Sequence, residues 1–388
     1  MRVKPRHLLH PLRSLRRVEI AVREHLDRSS FVKLGRRNFT GDPRYDLHAV
    51  SRGFADRLDS QVDDRILLQR ICSAYRKAVI DEALAPHVYR PTGWWEMQRC
   101  GSLQMVMIAL ADGNIEALQK MYRNFYRDQC SAGLVITQNL AKQYFRGSMK
   151  DQYRHYTLAD TLHRVDHWKK MLPEGFSIQE LEGPSVGNPF GVIIEGTLIR
   201  QGAEYQHYCA VRLRQLLENK DATVAEIGGG YGGMAYYLLR DCQSVKYLDF
   251  DVPESIALTS YFLMRSFPSR RFLLYGEENL CEEILEKTDI VLLPAFALRK
   301  VPFRVDVAFS SHAMSDLARP AQEEYVTQLA AMKSEWLLCI GDAAGMATLH
   351  AALEESGGWS SNRARDLRWH VHRNPKAREI EQLYRRRK

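Results

Sequence analysis

Residues 224–233 read VAEIGGGYGG and join a short apolar run to a cluster of glycines. Gly228, Gly230 and Gly233 have the spacing G-x-G-x-x-G, which follows the first strand of many dinucleotide-binding folds. Glycine there allows a tight turn, a close approach of the ligand and close packing of the next helix. The motif alone is a weak signal, because many matches are plain glycine turns. The residues around it therefore decide what it means.

Short apolar runs alternate with helical patterns from residue 222 onward. This alternation predicts an α/β fold with a Rossmann-like parallel sheet and helices on both faces. Ligands bind such sheets beyond the carboxyl ends of the strands, where the glycine turn also lies. The predicted strands are TVAEIGG, VKYLDFD, DIVLLP, VDVAFSS, WLLCIGD and, as the last one, LRWHVHR.

The chain ahead of the glycine turn is mainly helical. Two long amphipathic helices, ILLQRICSAYRKAVIDEAL and SLQMVMIALADGNIEALQKMYRNFYRDQ, are expected on either side of VYRPTGWWE. The segment GPSVGNPFGVIIEGTLIRQG predicts a loop with a small hairpin and marks a boundary. We therefore expect a basic extension over residues 1–60, a helical lid that binds the acceptor over residues 61–182, and a cofactor-binding domain over residues 183–388.

Basic residues are concentrated at the two ends of the chain. The formal net charge is +8, with +8 over residues 1–40 and +7 over residues 363–388, so the middle carries −7. An enzyme acting on nucleic acid would more often carry positive charge around its active site, so no nucleic-acid partner is expected. Residues 8–26 predict a basic amphipathic helix that docks on the body of the protein or contacts a membrane surface or partner.

The sequence also predicts a cellular location. No run of 18 apolar residues and no secretory signal occurs, and the seven cysteines are widely spaced. Reduced thiols, and neither a disulfide framework nor a zinc site, are expected. These features predict a cytoplasmic protein, and assembly into a homo-oligomer stays open.

Two carboxylates indicate the ligand of the glycine turn. Glu226 stands two residues before the first glycine, where it would repel the pyrophosphate of a dinucleotide. A sulfonium or amine group would be attracted to it, and S-adenosylmethionine carries both. Asp251 ends the next predicted strand and is placed to accept hydrogen bonds from ribose hydroxyls. Asp251 indicates a nucleoside without choosing between a nicotinamide cofactor and a methyl donor, and Glu226 favours S-adenosylmethionine as the cofactor.

Several segments resemble a bacterial family of sugar O-methyltransferases, within the class I S-adenosylmethionine-dependent methyltransferases. The resemblance is carried by EIGGGYGG, by YLDFDVPES with the helix behind it, and by VDVAFSSHAMSDL, with GNPFG upstream. It covers about residues 180–345. Ser310 stands where the family commonly has asparagine. The resemblance implies a methyltransferase sheet that transfers a methyl group to a hydroxyl of a sugar, a glycan or a glycosylated small molecule.

The resemblance also implies a set of cofactor residues. Glu226 and the first glycines would line the methionine part, Asp251 would bind the ribose, and the segment after the third predicted strand would lie near the adenine. Phe296 fits a core position equally well. The predicted cofactor-binding residues are Glu226, Gly228, Gly229, Gly230, Tyr231, Gly233, Asp251, Val252, Pro294, Ala295, Phe296 and Ser311.

Methyl transfer to a hydroxyl needs a base near the methyl group. His312 follows the fourth predicted strand, and a neutral imidazole there could remove the proton of the acceptor. Asp316 is expected to orient this imidazole or to cap the next helix. Asp249 is expected on the opposite side of the sheet from Asp251, and a divalent metal is not favoured, so no metal ligand is predicted.

Three further residues are predicted to contact the acceptor. Tyr205 and His207 lie on the helix that enters the glycine motif, and Trp95 offers an indole ring on which a sugar could stack. Three other readings stay open: a nucleic-acid or protein methyltransferase, a nicotinamide-dependent oxidoreductase, and a scaffold without activity. The acidic middle of the chain and Glu226 argue against the first two.

Overall fold

The computed structural model describes residues 22, 26, 29–30, 32–58, 63–135, 143–145, 147–217 and 221–387. Most of the basic helix predicted over residues 8–26 lies outside these residues. Only Val22 and Leu26 of its apolar stripe are described, and both are more than half exposed. None of the helices formed by the described residues is both long enough and apolar enough to cross a membrane.

The front part of the described chain is helical. What was predicted as one helix over residues 102–129 is two, because Gly113 adopts a left-handed conformation and ends the first. The Asn114 side chain then accepts a hydrogen bond from the backbone N–H of Ala117 and begins the second. The helices are α1 (Leu47–Gly53), α2 (Arg65–Glu82), α3 (Gly93–Arg99), α4 (Gln104–Asp112), α5 (Ile115–Tyr122) and α6 (Asp151–Met171).

The predicted hairpin is confirmed at the boundary. Strands β1 (Gly191–Ile194) and β2 (Thr197–Arg200) pair antiparallel. The two residues between them, Glu195 and Gly196, both have positive φ, which suits a two-residue hairpin turn. Helix α7 (Ala203–Arg214) then leads into the sheet.

The remaining chain forms an eight-stranded sheet of order β5-β6-β4-β3-β7-β8-β10-β9. The first six strands in this order pair in parallel, and β10 is antiparallel to both β8 and β9. The strands are β3 (Thr223–Ile227), β4 (Lys246–Asp251), β5 (Phe272–Leu274), β6 (Ile290–Pro294), β7 (Val307–Ser311), β8 (Trp336–Asp342), β9 (Trp359–Asp366) and β10 (Glu379–Arg386).

Helices connect these strands and cover both faces of the sheet. They are α8 (Gly233–Asp241), α9 (Pro253–Ser266), α10 (Glu282–Glu286), α11 (Ala313–Asp316), α12 (Arg319–Ala331) and α13 (Ala343–Glu355). The order reverses direction at β3, where the neighbours on either side are β4 and β7, and this is the ligand-binding position of a Rossmann-like sheet. The predicted α/β fold class is confirmed.

One predicted strand is wrong, and three strands of the sheet were not predicted. LRWHVHR is not a strand, because residues 367–373 form turns between β9 and β10. Strand β9 was missed because it lies at the sheet edge, where most of its side chains are exposed and polar. The short edge strand β5 and the strand β10 were missed as well.

One hydrophobic cluster joins the front helices to the sheet. It includes Leu68, Tyr75 and Tyr122 from the front part and Tyr261 and Phe262 from α9. Beside this cluster the buried carboxylate of Asp64 accepts a hydrogen bond from Tyr261 at 3.0 Å. The same carboxylate forms ion pairs with Arg123 and Arg265. The opposite face of the sheet has a second cluster with α12 and α13.

Candidate functional site

The glycine turn follows β3 and has the left-handed backbone that glycine adopts without strain. Gly228, Gly230 and Gly232 have φ of 81°, 65° and 86°. A Cβ on Gly228 would lie 2.1 Å from the Cβ of Ala313. Gly233 was predicted to let the next helix pack on the strand, but a Cβ there would meet the amide of Gln206 at 2.4 Å. Its smallness therefore makes room for a side chain of α7.

A cavity of about 520 Å³ opens at this turn. The walls come from the turn, from the carboxyl ends of β4 and β7, and from the front segments 88–95 and 133–134. The predicted residues that line it are Trp95, Tyr205, Glu226, Gly228, Gly229, Gly230, Tyr231, Gly233, Asp251, Val252, Ala295, Ser311, His312 and Asp316. This volume suits a nucleoside-sized ligand.

Three predicted residues do not line this cavity. His207 and Phe296 are buried elsewhere, and Pro294 pairs with Asp251 across the sheet. The centroid of the Phe296 ring lies 5.5 Å from that of Tyr275, so Phe296 has the core position that was the alternative to a cofactor contact. His207 accepts a hydrogen bond at its Nδ1 atom from the indole of Trp168 at 3.2 Å. Burial lowers the pKa of His207 to about 4.

Three carboxylates lie beneath the turn, of which Glu226 and Asp249 are buried and Asp251 is half-buried. Asp251 accepts from the N–H of Gly230 at 2.9 Å and from Val252 at 2.7 Å. The carboxylate of Glu226 accepts a hydrogen bond from the hydroxyl of Tyr247. Burial, opposed by these hydrogen bonds, raises the pKa of Asp251 to about 7 and that of Glu226 to about 8. A cationic ligand would favour the ionised form of both.

Asp249 belongs to the same group, so its predicted place across the sheet is wrong. Residues two apart on a strand face the same side, as Asp249 and Asp251 do. Its Oδ1 atom accepts from the N–H of Gly229 at 3.1 Å, and its side chain is fully buried. Burial raises its pKa, so the protonated form is favoured. Asp249 therefore holds the turn from below.

His312 stands at the carboxyl end of β7 and has a left-handed φ of 65°. Its Nε2 atom lies 3.4 Å from Oε1 of Glu379, which begins β10. Burial opposes the charged imidazole, but the hydrogen bond and charge of Glu379 raise the pKa of His312 above its usual value. His370 contacts the same Glu379 oxygen at 3.6 Å, yet burial lowers the pKa of His370 to about 4.

Asp316 does not have either role predicted for it. The imidazole of His312 is paired with Glu379, and the cap of α12 is Ala318, without a side-chain hydrogen bond. Asp316 is exposed and accepts a hydrogen bond from Ser315 at 3.3 Å. Sequence reasoning missed Glu379 because it lies 67 positions after His312 and only the pairing of β10 with β8 brings it near.

The aromatic residues Trp95 and Tyr205 on the wall of the cavity are hydrogen-bonded to the sheet domain. Trp95 donates its indole N–H to Glu254 at 2.6 Å, just after Asp251 in the chain. Tyr205 and Ser311 are hydrogen-bonded at 2.7 Å between their hydroxyls. The loop at Gly133 packs against the rings of Trp94 and Trp95. The front part thus forms one side of the cavity.

One group of potential metal ligands occurs among the described residues, and it is outside the cavity. Glu180, His207 and Asp241 place ligand atoms within 4.8 Å of one another. Trp168 can only donate, so Nδ1 of the neutral His207 has no proton and Nε2 carries it. A protonated Nε2 cannot bind a metal ion. Arg240 also donates hydrogen bonds to both carboxylate oxygens of Asp241, and its guanidinium therefore occupies the position that a metal ion would need.

No protein-family model and no curated protein matches this chain. Among solved structures, the pyocyanin biosynthetic protein PhzM is similar at 14% identity over 48% of this chain and 56% of its own, with a TM-score of 0.32. The mitomycin 7-O-methyltransferase MmcR is 16% identical over 48% and 55%, with a TM-score of 0.33. The chain thus spans little more than half the length of either.

A third solved structure is an S-adenosylmethionine-dependent methyltransferase from Aquifex aeolicus, which is 14% identical over 45% of this chain and 87% of its own, with a TM-score of 0.31. These likenesses concern about half of the chain. The Rossmann-like class of the fold follows from the strand order of this chain itself.

Proposed function

We propose that this protein is an S-adenosylmethionine-dependent O-methyltransferase that acts on a hydroxyl of a sugar, a glycan or a glycosylated small molecule. The observation that carries the proposal is a pair of carboxylates, the buried Glu226 and the half-buried Asp251, on the wall of the cavity at the glycine turn. Asp251 keeps lone pairs for ribose hydroxyls. Glu226 offers negative charge to the amine and sulfonium groups of the methionine part.

A dinucleotide is a poorer fit to this cavity. Its pyrophosphate would lie at the glycine turn, beside Glu226, and this carboxylate would have to stay protonated or would repel it. S-adenosylmethionine has no phosphate, and its positive charge would be attracted by Glu226. The arrangement of charge therefore favours the methyl donor.

The proposal also assigns a general base and a binding position for the acceptor to this cavity. His312 lies where a hydroxyl would approach the methyl group, and Glu379 orients its imidazole. Proton removal by a positioned base contributes about 10²–10⁴-fold to such a reaction. Trp94 and Trp95 line the cavity, and in the proposal a sugar stacks on an indole ring there.

Isothermal titration tests the proposal. We expect binding of S-adenosylmethionine and its demethylated product, no binding of NAD, and a loss of about ten- to a hundredfold in affinity for Asp251→Asn, because hydrogen bonds to a charged group are lost. Asp366→Asn, on the edge strand β9, is the control and should leave affinity unchanged. Tight NAD binding without S-adenosyl ligand binding overturns the proposal.

The same titration has an expected pH dependence. Ligand cations bind the ionised carboxylates, whose pKa values are raised to about 7 for Asp251 and about 8 for Glu226. Affinity for S-adenosylmethionine should therefore rise as the pH increases through 7 and 8, with protons released on binding. An affinity that falls over this range contradicts the assigned charge of the site.

A further inference from the structure

Arg200 is a fully buried cation, and among the residues that the structure describes it has no anionic partner. Its side chain is 1% exposed, and no carboxylate that the structure describes forms an ion pair with it. The Nη2 atom donates to the hydroxyl of Tyr237 at 3.2 Å, and the Nη1 atom donates to the hydroxyl of Tyr126. The guanidinium also lies over the rings of Tyr126, Tyr236 and Tyr237 at 5.7–5.8 Å from their centroids.

A buried cation without an anion is costly to maintain. Aromatic faces and hydroxyl dipoles offset part of that cost, but they carry no full negative charge. Arg200 is outside the cavity, and neither the base nor the carboxylates of the site use it. A buried charge of this kind is stabilised by a structural partner or by an anionic ligand. The hydrogen bonds of Arg200 therefore indicate which groups its charge polarises.

A chain of hydrogen bonds runs from Arg200 to the cavity. Arginine can only donate, so Tyr126 accepts from it and turns its own O–H toward Tyr231 at 3.3 Å. Tyr231 in turn donates to Oε1 of Gln206 at 3.0 Å. The bonds run from Arg200 through Tyr126 and Tyr231 to Gln206, and each bond polarises the next.

The last bond of this chain is made to the amide oxygen of Gln206. Since Oε1 is used by Tyr231, the Nε2 group carries two N–H donors, and no described residue accepts from it. Gln206 lines the cavity, and its amide lies against Gly233 at the start of helix α8. The first N–H groups of a helix have no partner within it. Two kinds of donor thus meet at one place on the wall.

We propose that Nε2 of Gln206, polarised by Arg200 through Tyr126 and Tyr231, binds the carboxylate of the methionine part of the cofactor. The inference rests on the proposed function, since it needs S-adenosylmethionine in the cavity. In this inference Arg200 is a positioning residue, and the carboxylate of the bound ligand is the anion that balances its charge. Tyr205 and His207, the residues that flank Gln206, are not part of this chain.

The test compares S-adenosylmethionine with decarboxylated S-adenosylmethionine, which differs from it only by the carboxylate, by titration of the full-length protein. Wild type should prefer the intact ligand by at least about tenfold. Tyr231→Phe and Gln206→Leu should each lose about ten- to a hundredfold in affinity for S-adenosylmethionine and less than about twofold for the analogue. Tyr231→Phe keeps the ring that packs on Phe262 at 5.3 Å, so the fold should be retained.

Tyr237→Phe is the matched control. It removes the other hydroxyl bonded to Arg200, on the side that leads to the carbonyl of Leu181 and not to the cavity. Its preference for the intact ligand should stay within about twofold of wild type. The inference is overturned if wild type has no such preference, if the two variants lose both ligands equally or neither, or if Tyr237→Phe has the same effect. If wild type binds neither of the two ligands, the proposed function is overturned as well.

Discussion

At the scale of single residues, His312 owes its charge state to a partner that is far away in sequence. The carboxylate of Glu379 raises the pKa of His312, so the neutral base form should gain population only above the usual value near 6.5. The acidic limb of the pH–rate profile should therefore lie above that pH. Glu379→Gln removes the negative charge, so the pKa of His312 and the acidic limb should both move to lower pH.

NMR titration of the His312 ring measures this shift without an acceptor. Once an acceptor is identified with labelled methyl donor, His312→Ala should lower kcat by roughly two to four orders of magnitude and leave cofactor affinity nearly unchanged. His370→Gln is the control, because His370 shares the Glu379 carboxylate but does not line the cavity. Wild-type turnover in His312→Ala would exclude it as the base.

At the scale of elements, helix α3 closes one side of the cavity and is held by Arg99. This guanidinium bonds Glu82 of α2 at 2.8 and 3.0 Å and Glu254 of α9 at 2.6 and 2.7 Å. Glu254 is the residue that also accepts from Trp95. Arg99 thus joins three helices around the wall of the cavity beside Asp251.

Arg99→Leu would leave two largely buried carboxylates without their cation. We expect a loss of about 3–5 kcal/mol in the free energy of unfolding, the scale for breaking a buried ion pair, together with weaker cofactor binding. Arg304→Leu is the control, because its pairs with Asp306 and Glu335 are exposed and should contribute less than about 1 kcal/mol. Urea unfolding of the two variants, followed by circular dichroism, measures the difference.

At the scale of the whole molecule, the front helices and the sheet share one core. Removing residues 1–182 would expose Tyr261 and Phe262 and would separate Arg265 from Asp64. We expect the full chain to unfold in a single transition with coincident fluorescence and circular dichroism signals. The fragment 183–388 should not fold cooperatively. A fragment with a native-like Tm would instead support the boundary predicted at residue 183.

The sequence alone predicted the features that depend on local pattern. The alternation of strands and helices, the hairpin at residues 191–200, the glycine turn and the position of Asp251 at the end of β4 all follow from period, turn residues and spacing over a few tens of residues. These signals lie within single elements, and their physical causes are backbone geometry and the burial of one face. For that reason they were visible before any contact between elements was known.

Only the tertiary structure decided which distant residues meet at the cavity. Pairing of β10 with β8 brings Glu379 to His312, and packing of the front helices brings Trp95 and Arg99 to Glu254. The same packing turned His207 into the core and Gln206 toward the glycine turn, although the two are adjacent on one helix. Burial and hydrogen-bond direction set these roles, and both depend on neighbours that no local pattern in the sequence specifies.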